Sequence, residues 1–175
     1  MIPVILFSAP SGFGKSFFIS SLIPYLSERG IRVGYVKHHH GRIYSPEKKT
    51  KDTGKMLRAG VERSLLIADD VIVIEEPRVN NDNILSLYVE TYFNNCDIVI
   101  VEGFKEDKTF PKVILLRGKE LAVRSWYDRV GDEENVIAMI SDQDWPVPYP
   151  RFAFSEMREF SQFLIDYFLL AGKKK

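Results

Sequence analysis

FSAPSGFGKSFF, Phe7–Phe18, is the stretch from which the fold can be read. Its core, Ser-Ala-Pro-Ser-Gly-Phe-Gly-Lys-Ser, follows the pattern G-x-x-x-x-G-K-[ST] of a phosphate-binding loop except at the first position, where Ala9 replaces glycine. Such loops are glycine-rich because their backbone N–H groups turn inward around phosphate oxygens, which demands dihedrals that side chains resist. Gly12 and Gly14 meet that demand. The first position lies farther from the phosphates, so a methyl group at Ala9 is expected to fit. Lys15 is expected to reach the outer phosphates and Ser16 to offer its hydroxyl to Mg²⁺, while the helix that starts there turns its positive end toward the anion. The expected nucleotide-binding set is Ser11, Gly12, Phe13, Gly14, Lys15, Ser16 and Phe17. A glycine turn that binds nothing is the alternative, and the motif does not say whether the base is guanine or adenine.

The flanks supply the order of strand, loop and helix that the motif requires. PVILF (Pro3–Phe7) is a short run rich in β-formers, and KSFFISSLIPYLSERG (15–30) has helical spacing at Phe18, Leu22, Tyr25 and Leu26, closed by Gly30. Pro24 lacks an N–H, so a bend or early break is expected there. Ile31–Lys37 reads as a second strand, and GKMLRAG (54–60) as a short helix that Asp52 or Thr53 could cap. RSLLIA and DVIVIEE, around Asp69-Asp70, read as a hairpin that would put antiparallel strands at one side of the sheet. NILSLYVETYFNN (83–95) is then helical, DIVIVEGF (97–104) a buried strand, and PKVILLRG (111–118) and NVIAMISD (135–142) two more strands. From Ser155, a helix with Met157, Phe160, Leu164, Tyr167 and Ala171 on one face is expected to dock on the sheet. This alternation predicts one domain, residues 1–175, of the three-layer α/β P-loop NTPase-like class, with a mostly parallel sheet and a hairpin at one side.

Composition agrees with that class. A chain of 175 residues with 45% hydrophobic content can bury roughly 70% of its unfolded surface. Lysine plus arginine and aspartate plus glutamate both total 24, and the resulting zero formal net charge argues against nucleic acid as a partner. The single Cys96 excludes an internal disulfide, no leader-like segment opens the chain, and the apolar runs fall far short of the roughly 20 residues of a membrane helix. A cytoplasmic protein without a membrane partner is expected, and Lys173-Lys174-Lys175 reads as a solvated tail.

A metal at such a loop needs a further carboxylate, and DIVIVEG offers Asp97 and Glu102 at opposite ends of one strand. Five residues at about 3.3 Å each place them roughly 16 Å apart, and ligands of open α/β sheets sit at strand C-termini. Glu102 is therefore the expected metal and catalytic carboxylate, with Lys15 as the catalytic cation. Asp97 is left to cap or solvate the strand start.

With these pieces placed, most of the chain resembles the MobB family, P-loop proteins of molybdopterin-guanine dinucleotide (molybdenum cofactor) biosynthesis. The resemblance rests on PSGFGKS, VGYVKHHH, KDTGKMLRAG and VEGFKEDKTFPKVILLRG, and the last two separate it from other P-loop families. It implies GTP as the bound nucleotide, weak GTP hydrolysis, assistance to a MobA-like guanylyltransferase that attaches GMP to molybdopterin, and a homodimer. Carried over by position, it puts the family's phosphate loop on Gly12 to Ser16, its Lys-His segment on Lys37 and His38, its Lys-Asp-Ser/Thr segment on Lys51 to Thr53, and its Glu-Gly-Phe-Lys segment on Glu102 to Lys105. Pro111, Lys112 and Arg117 match the stretch beyond. Two departures stand out: GRIYSPEKKT (41–50) is basic, with only Glu47 where similar proteins carry aspartates, and Thr50 replaces the glycine before Lys-Asp.

The candidate substrate or phosphate contacts are Lys37, His38, Asp52, Lys105 and Lys112, with Asp52 equally readable as a helix cap. His38, His39 and His40 alternate between the faces of a strand, so a shared metal is not expected, and His38 or His40 is expected near the phosphates. Arg58, Lys105, Lys112 and Arg117 could form a patch for a phosphate-bearing pterin or an acidic partner. The nearest segment to a guanine-reading Asn-Lys-x-Asp is SDQD (Ser141–Asp144), which reads equally as an acidic turn. Slow turnover is expected because no second residue stands out to orient water or act as an arginine finger. A non-catalytic, nucleotide-dependent adaptor and a P-loop small-molecule kinase are the alternatives.

Overall fold

The computed structural model describes residues 1–39, 55–57, 59–78, 83–118, 121–130 and 135–170. In chain order the elements are β1 (Val4–Ser8), α1 (Lys15–Ser27), β2 (Val33–Lys37), β3 (Ser64–Ile67), β4 (Ile72–Glu75), α2 (Ile84–Tyr92), β5 (Ile98–Glu102), β6 (Lys112–Leu115), α3 (Leu121–Val130), β7 (Val136–Ile140), β8 (Arg151–Phe152) and α4 (Met157–Ile165), which runs into a π-helical turn over Asp166–Leu170. They fall into two compact units, residues 1–38 with 88–175 and residues 39–87.

The first unit contains a six-stranded sheet in the order β2-β5-β1-β6-β7-β8, parallel throughout. Strands β1, β5 and β6 are buried along their whole length, which is why they read as near-continuous apolar runs rather than alternating ones. One core cluster joins Ile5, Phe7 and Ile100 of the sheet to Phe18 and Leu22 of α1 and to Phe160 and Leu164 of α4. The Phe18 and Phe160 rings meet at 5.8 Å, fixing α1 against α4. A second cluster joins Ile114, Leu116 and Met139 to Val123 and Trp126 of α3.

Several local outcomes differ from the sequence expectation. Helix α1 passes through Pro24 to Ser27 without an early break. Burial of Phe18, Ile19, Leu22 and Leu26 offsets the one hydrogen bond that proline removes. The helix ends as expected at Gly30, whose φ of +75° suits glycine and whose N–H donates to the Ser27 carbonyl at 2.9 Å. Between β6 and β7 the sequence suggested no helix, yet α3 occupies the crossover that a parallel pair requires. Toward the C-terminus, the π-helical turn changes the repeat, so that Tyr167 is 42% exposed and Phe168 packs on the core instead. Ala171 lies outside the described residues.

In the second unit, β3 and β4 pair antiparallel from Ser64 opposite Glu75 to Ile67 opposite Ile72. The expected hairpin thus forms, as a two-stranded sheet of its own. Of the expected short helix, Lys55–Leu57 is helical, and its candidate caps Asp52 and Thr53 lie outside the described residues. Among the described residues, no helix is long and apolar enough to cross a membrane.

Candidate phosphate-binding site

The loop between β1 and α1 turns on Gly12 and Gly14, at φ of +80° and +77°, the left-handed conformations that its glycines were expected to supply. Ala9 packs its methyl group on the core beside the loop. Helix α1 has no side-chain cap and no acidic residue in its first turn. Its first intrahelical bond is from the Phe18 N–H to the Gly14 carbonyl at 2.9 Å, so the N–H groups of Lys15, Ser16 and Phe17 have no intrahelical acceptor. A positive helix end with open donors is suited to an anion.

Strand register brings the remaining groups to this end of the sheet. Glu102 closes β5 level with Phe7 of β1 on one side and Lys37 of β2 on the other. Glu102 is 7% exposed, and its carboxylate accepts the Ser16 hydroxyl at 2.9 and 2.8 Å and the Tyr35 hydroxyl at 2.6 Å. The Lys37 ammonium lies 3.5 Å from the same carboxylate and 3.5 Å from Ser16 Oγ. Burial pushes the Glu102 carboxyl up, but the hydrogen bonds from Tyr35 and Ser16 and the Lys37 charge outweigh it and hold the group below the usual carboxylate range. Burial and the hydrogen bond to Glu102 raise the Tyr35 phenol to about 12. Lys15 bends back over its own loop and donates to the carbonyls of Ala9 at 3.2 Å and Pro10 at 3.4 Å. Burial lowers its pKa; Glu102 acts in the opposite sense, and Lys37 lowers it further.

Of the residues expected from the sequence, the structure therefore brings together Lys15, Ser16, Lys37 and Glu102. Tyr35 was missed, although it lies two residues before Lys37 and so shares its face of β2. His38 donates its backbone N–H to the Glu102 carbonyl at 2.9 Å, and its ring stacks on Phe104 at 4.3 Å. That stacking depends on Gly103, at φ +108°, where a β-carbon would come within 2.9 Å of His38 Cβ. Lys112 is fully buried and donates to the Lys105 carbonyl at 2.7 Å, pinning the turn after Glu102 rather than joining a surface patch. Lys105 is exposed, its ammonium 4.0 Å from Glu106. Ser11 and Phe17 are exposed, while Phe13 packs against the second core cluster. Asp52, His40 and Arg58 lie outside the described residues. Asp97, at the far end of β5, accepts the Arg32 guanidinium at 3.1 and 3.0 Å, and these hydrogen bonds lower its carboxyl to about 2. In the SDQD segment, Asp142 accepts the Phe154 N–H at 3.0 Å, and Asp144 lies 3.7 Å from Arg151.

A parallel sheet whose central strand feeds a glycine loop and an uncapped helix, with a carboxylate ending the next strand, defines a P-loop NTPase-like domain. Residues 4–142 match the family described as Molybdopterin guanine dinucleotide synthesis protein B, MobB, and the chain belongs to that family. Among its relatives, the molybdopterin-guanine dinucleotide biosynthesis adapter protein of Escherichia coli (strain K12) is 26% identical over 175 residues, covering 95% of this chain and 94% of that one. The fold is also that of a crystal structure of molybdopterin-guanine biosynthesis protein B, with a TM-score of 0.70 at 20% identity over 95% of this chain and 99% of the other. A more distant likeness in fold is cobyrinic acid a,c-diamide synthase from Mycobacterium smegmatis with bound ADP and magnesium, at a TM-score of 0.57 and 16% identity over 99% and 98% of the two chains.

Proposed function

We propose that this protein binds GTP with Mg²⁺ at the loop 9–16, hydrolyses it slowly, and serves molybdopterin-guanine dinucleotide biosynthesis as an adapter for a MobA-like guanylyltransferase. The observation that carries this reading is the meeting of Lys15, Ser16 and Glu102 at the open N-terminus of α1. A hydroxyl and an ionised carboxylate side by side are hard oxygen donors of the kind Mg²⁺ takes, and Ser16 and Glu102 are the residues that would hold it. Once bound, the ion would neutralise charge on the phosphates. The protein's own work is then to hold and orient. The Lys15 ammonium exchanges the Ala9 and Pro10 carbonyls for phosphate oxygens, the loop N–H groups surround them, and Tyr35 keeps Glu102 aimed and ionised.

The biosynthetic role is supported by family membership and by the name of the Escherichia coli relative, an adapter protein, and Mg²⁺ by the ADP and magnesium in the more distant fold neighbour. Molybdopterin species enter as ligands of the assembled complex. A homodimer belongs to the same reading, because the hairpin leaves Ile67 and Ile72 exposed at 70% and 62%, an apolar cross-strand pair in need of cover. Equilibrium binding of GTP and ATP with Mg²⁺, followed by single-turnover hydrolysis, tests the proposal. The wild type is expected to bind GTP and release GDP slowly, and Lys15→Ala to lose binding by at least about 10-fold. Failure of the wild type to bind any nucleotide sinks the reading. Binding without product, even with the guanylyltransferase present, reduces it to the adapter role alone.

A further inference from the structure

Arg117 follows β6 at the same end of the sheet as the loop, with the preceding Leu116 N–H bonded to the Ile140 carbonyl at 3.0 Å. Its guanidinium Cζ lies over the Phe154 ring, 4.2 Å from the centroid. That ring is fixed in turn. Phe154 packs edge-on against the buried Phe18 of α1 at 5.8 Å, and its N–H is held by Asp142 at 3.0 Å. From this platform the guanidinium reaches the loop itself, for a β-carbon placed on Gly14 would lie 3.9 Å from Arg117 Nη2. Gly14 immediately precedes Lys15. Among the described residues, no carboxylate forms an ion pair with Arg117.

A planar cation with several donors, seated by an aromatic ring against a phosphate cradle and with no carboxylate paired to it among the described residues, is matched to a phosphoryl oxygen. We infer that Arg117 is a built-in phosphate contact of the bound nucleotide, supplied by this chain from the strand beyond the loop. The inference rests on the reading that the loop binds GTP, and it adds a residue that the loop motif does not contain. Arginines that meet transferring phosphates usually arrive on a separate loop or a partner; here the side chain is already packed beside the cradle.

Calorimetric titration of the whole protein with GTP, GDP and guanosine, each with Mg²⁺, tests this for the wild type, Arg117→Gln and Arg117→Lys. Arg117→Gln is expected to weaken GTP and GDP about 10- to 100-fold, the loss of one charge-assisted contact, with guanosine unchanged. Arg117→Lys is expected to recover part of that loss, because the charge returns without the fork. Phe154→Leu, which keeps the guanidinium and removes its platform, is expected to lose several-fold, and thermal unfolding of each variant identifies any that fails to fold. GTP and GDP affinities of a folded Arg117→Gln within twofold of wild type overturn the inference, as does an equal loss for guanosine, which would make Arg117 a base contact. If the wild type binds none of the three ligands, the failure belongs to the GTP-binding reading itself.

Discussion

Tyr35 and Glu102 form a pair in which each hydrogen-bonding group limits the titration of the other. The phenol stabilises the ionised carboxylate, and the carboxylate opposes loss of the phenolic proton. The two signs follow directly. Because Glu102 is held below its ordinary value, its contribution to stability is complete above the usual carboxylate range and is lost as pH falls toward its folded value. Because Tyr35 is raised from 10.0 to about 12, the folded state keeps a proton that the unfolded chain releases, so this contribution is complete below 10 and is lost as pH rises toward 12. Tyr35→Phe is therefore expected to remove this part of the alkaline loss, read by urea unfolding between about pH 10 and pH 12. In the presence of GTP the same variant is expected to need about 10-fold more Mg²⁺ for half-saturation, as is usual when a partner orienting a metal ligand is removed. An unchanged Mg²⁺ midpoint would mean that Tyr35 does not position Glu102.

Helix α1 carries the clearest prediction among the elements. Pro24 lies inside it, exposed, and removes a backbone donor that the carbonyl of Ser20 would otherwise use. Pro24→Ala is expected to stabilise the protein by about 1–3 kcal/mol, seen as a higher urea midpoint at an unchanged m-value. A lower midpoint would show that the proline's restriction of the unfolded chain outweighs the missing bond. The elements also show where sequence reading succeeds. β1, β5 and β6 were legible because a strand buried on both faces must be apolar throughout, and the loop because Gly12 and Gly14 are demanded by backbone shape alone. α3 was not legible: its described buried side chains are Val123 and Trp126, too few to set a period in a charged segment. β8, with Arg151 and Phe152 alone, is shorter than any pattern can register. In the site, Lys15, Ser16 and Glu102 followed from motif and strand polarity. Tyr35 required knowing which strand lies beside which, and that order is set by tertiary packing.

At the scale of the whole molecule, the two units divide the properties proposed here. Residues 1–38 with 88–175 carry the loop, its carboxylate and Arg117, whereas residues 39–87 carry the exposed apolar hairpin. Substitution of Ile67 and Ile72 together by lysine is expected to halve the mass measured by light scattering while leaving GTP affinity within about twofold. A wild type that is already monomeric, or a double variant that stays dimeric, would remove the hairpin from the dimer interface. The placement of the second unit in the chain has a kinetic side as well. β2 and β5 are hydrogen-bonded neighbours, yet all of residues 39–87 lie between them, whereas β6 and β7 are separated by one helix. Closing the longer loop costs only on the order of 1 kcal/mol more. That difference falls on the order of assembly: the β6–β7 side of the sheet can zip early, while the edge that brings Tyr35 beside Glu102 must wait for a distant part of the chain. In refolding of the full chain, the β6–β7 pair would thus form before the edge contact between Tyr35 and Glu102.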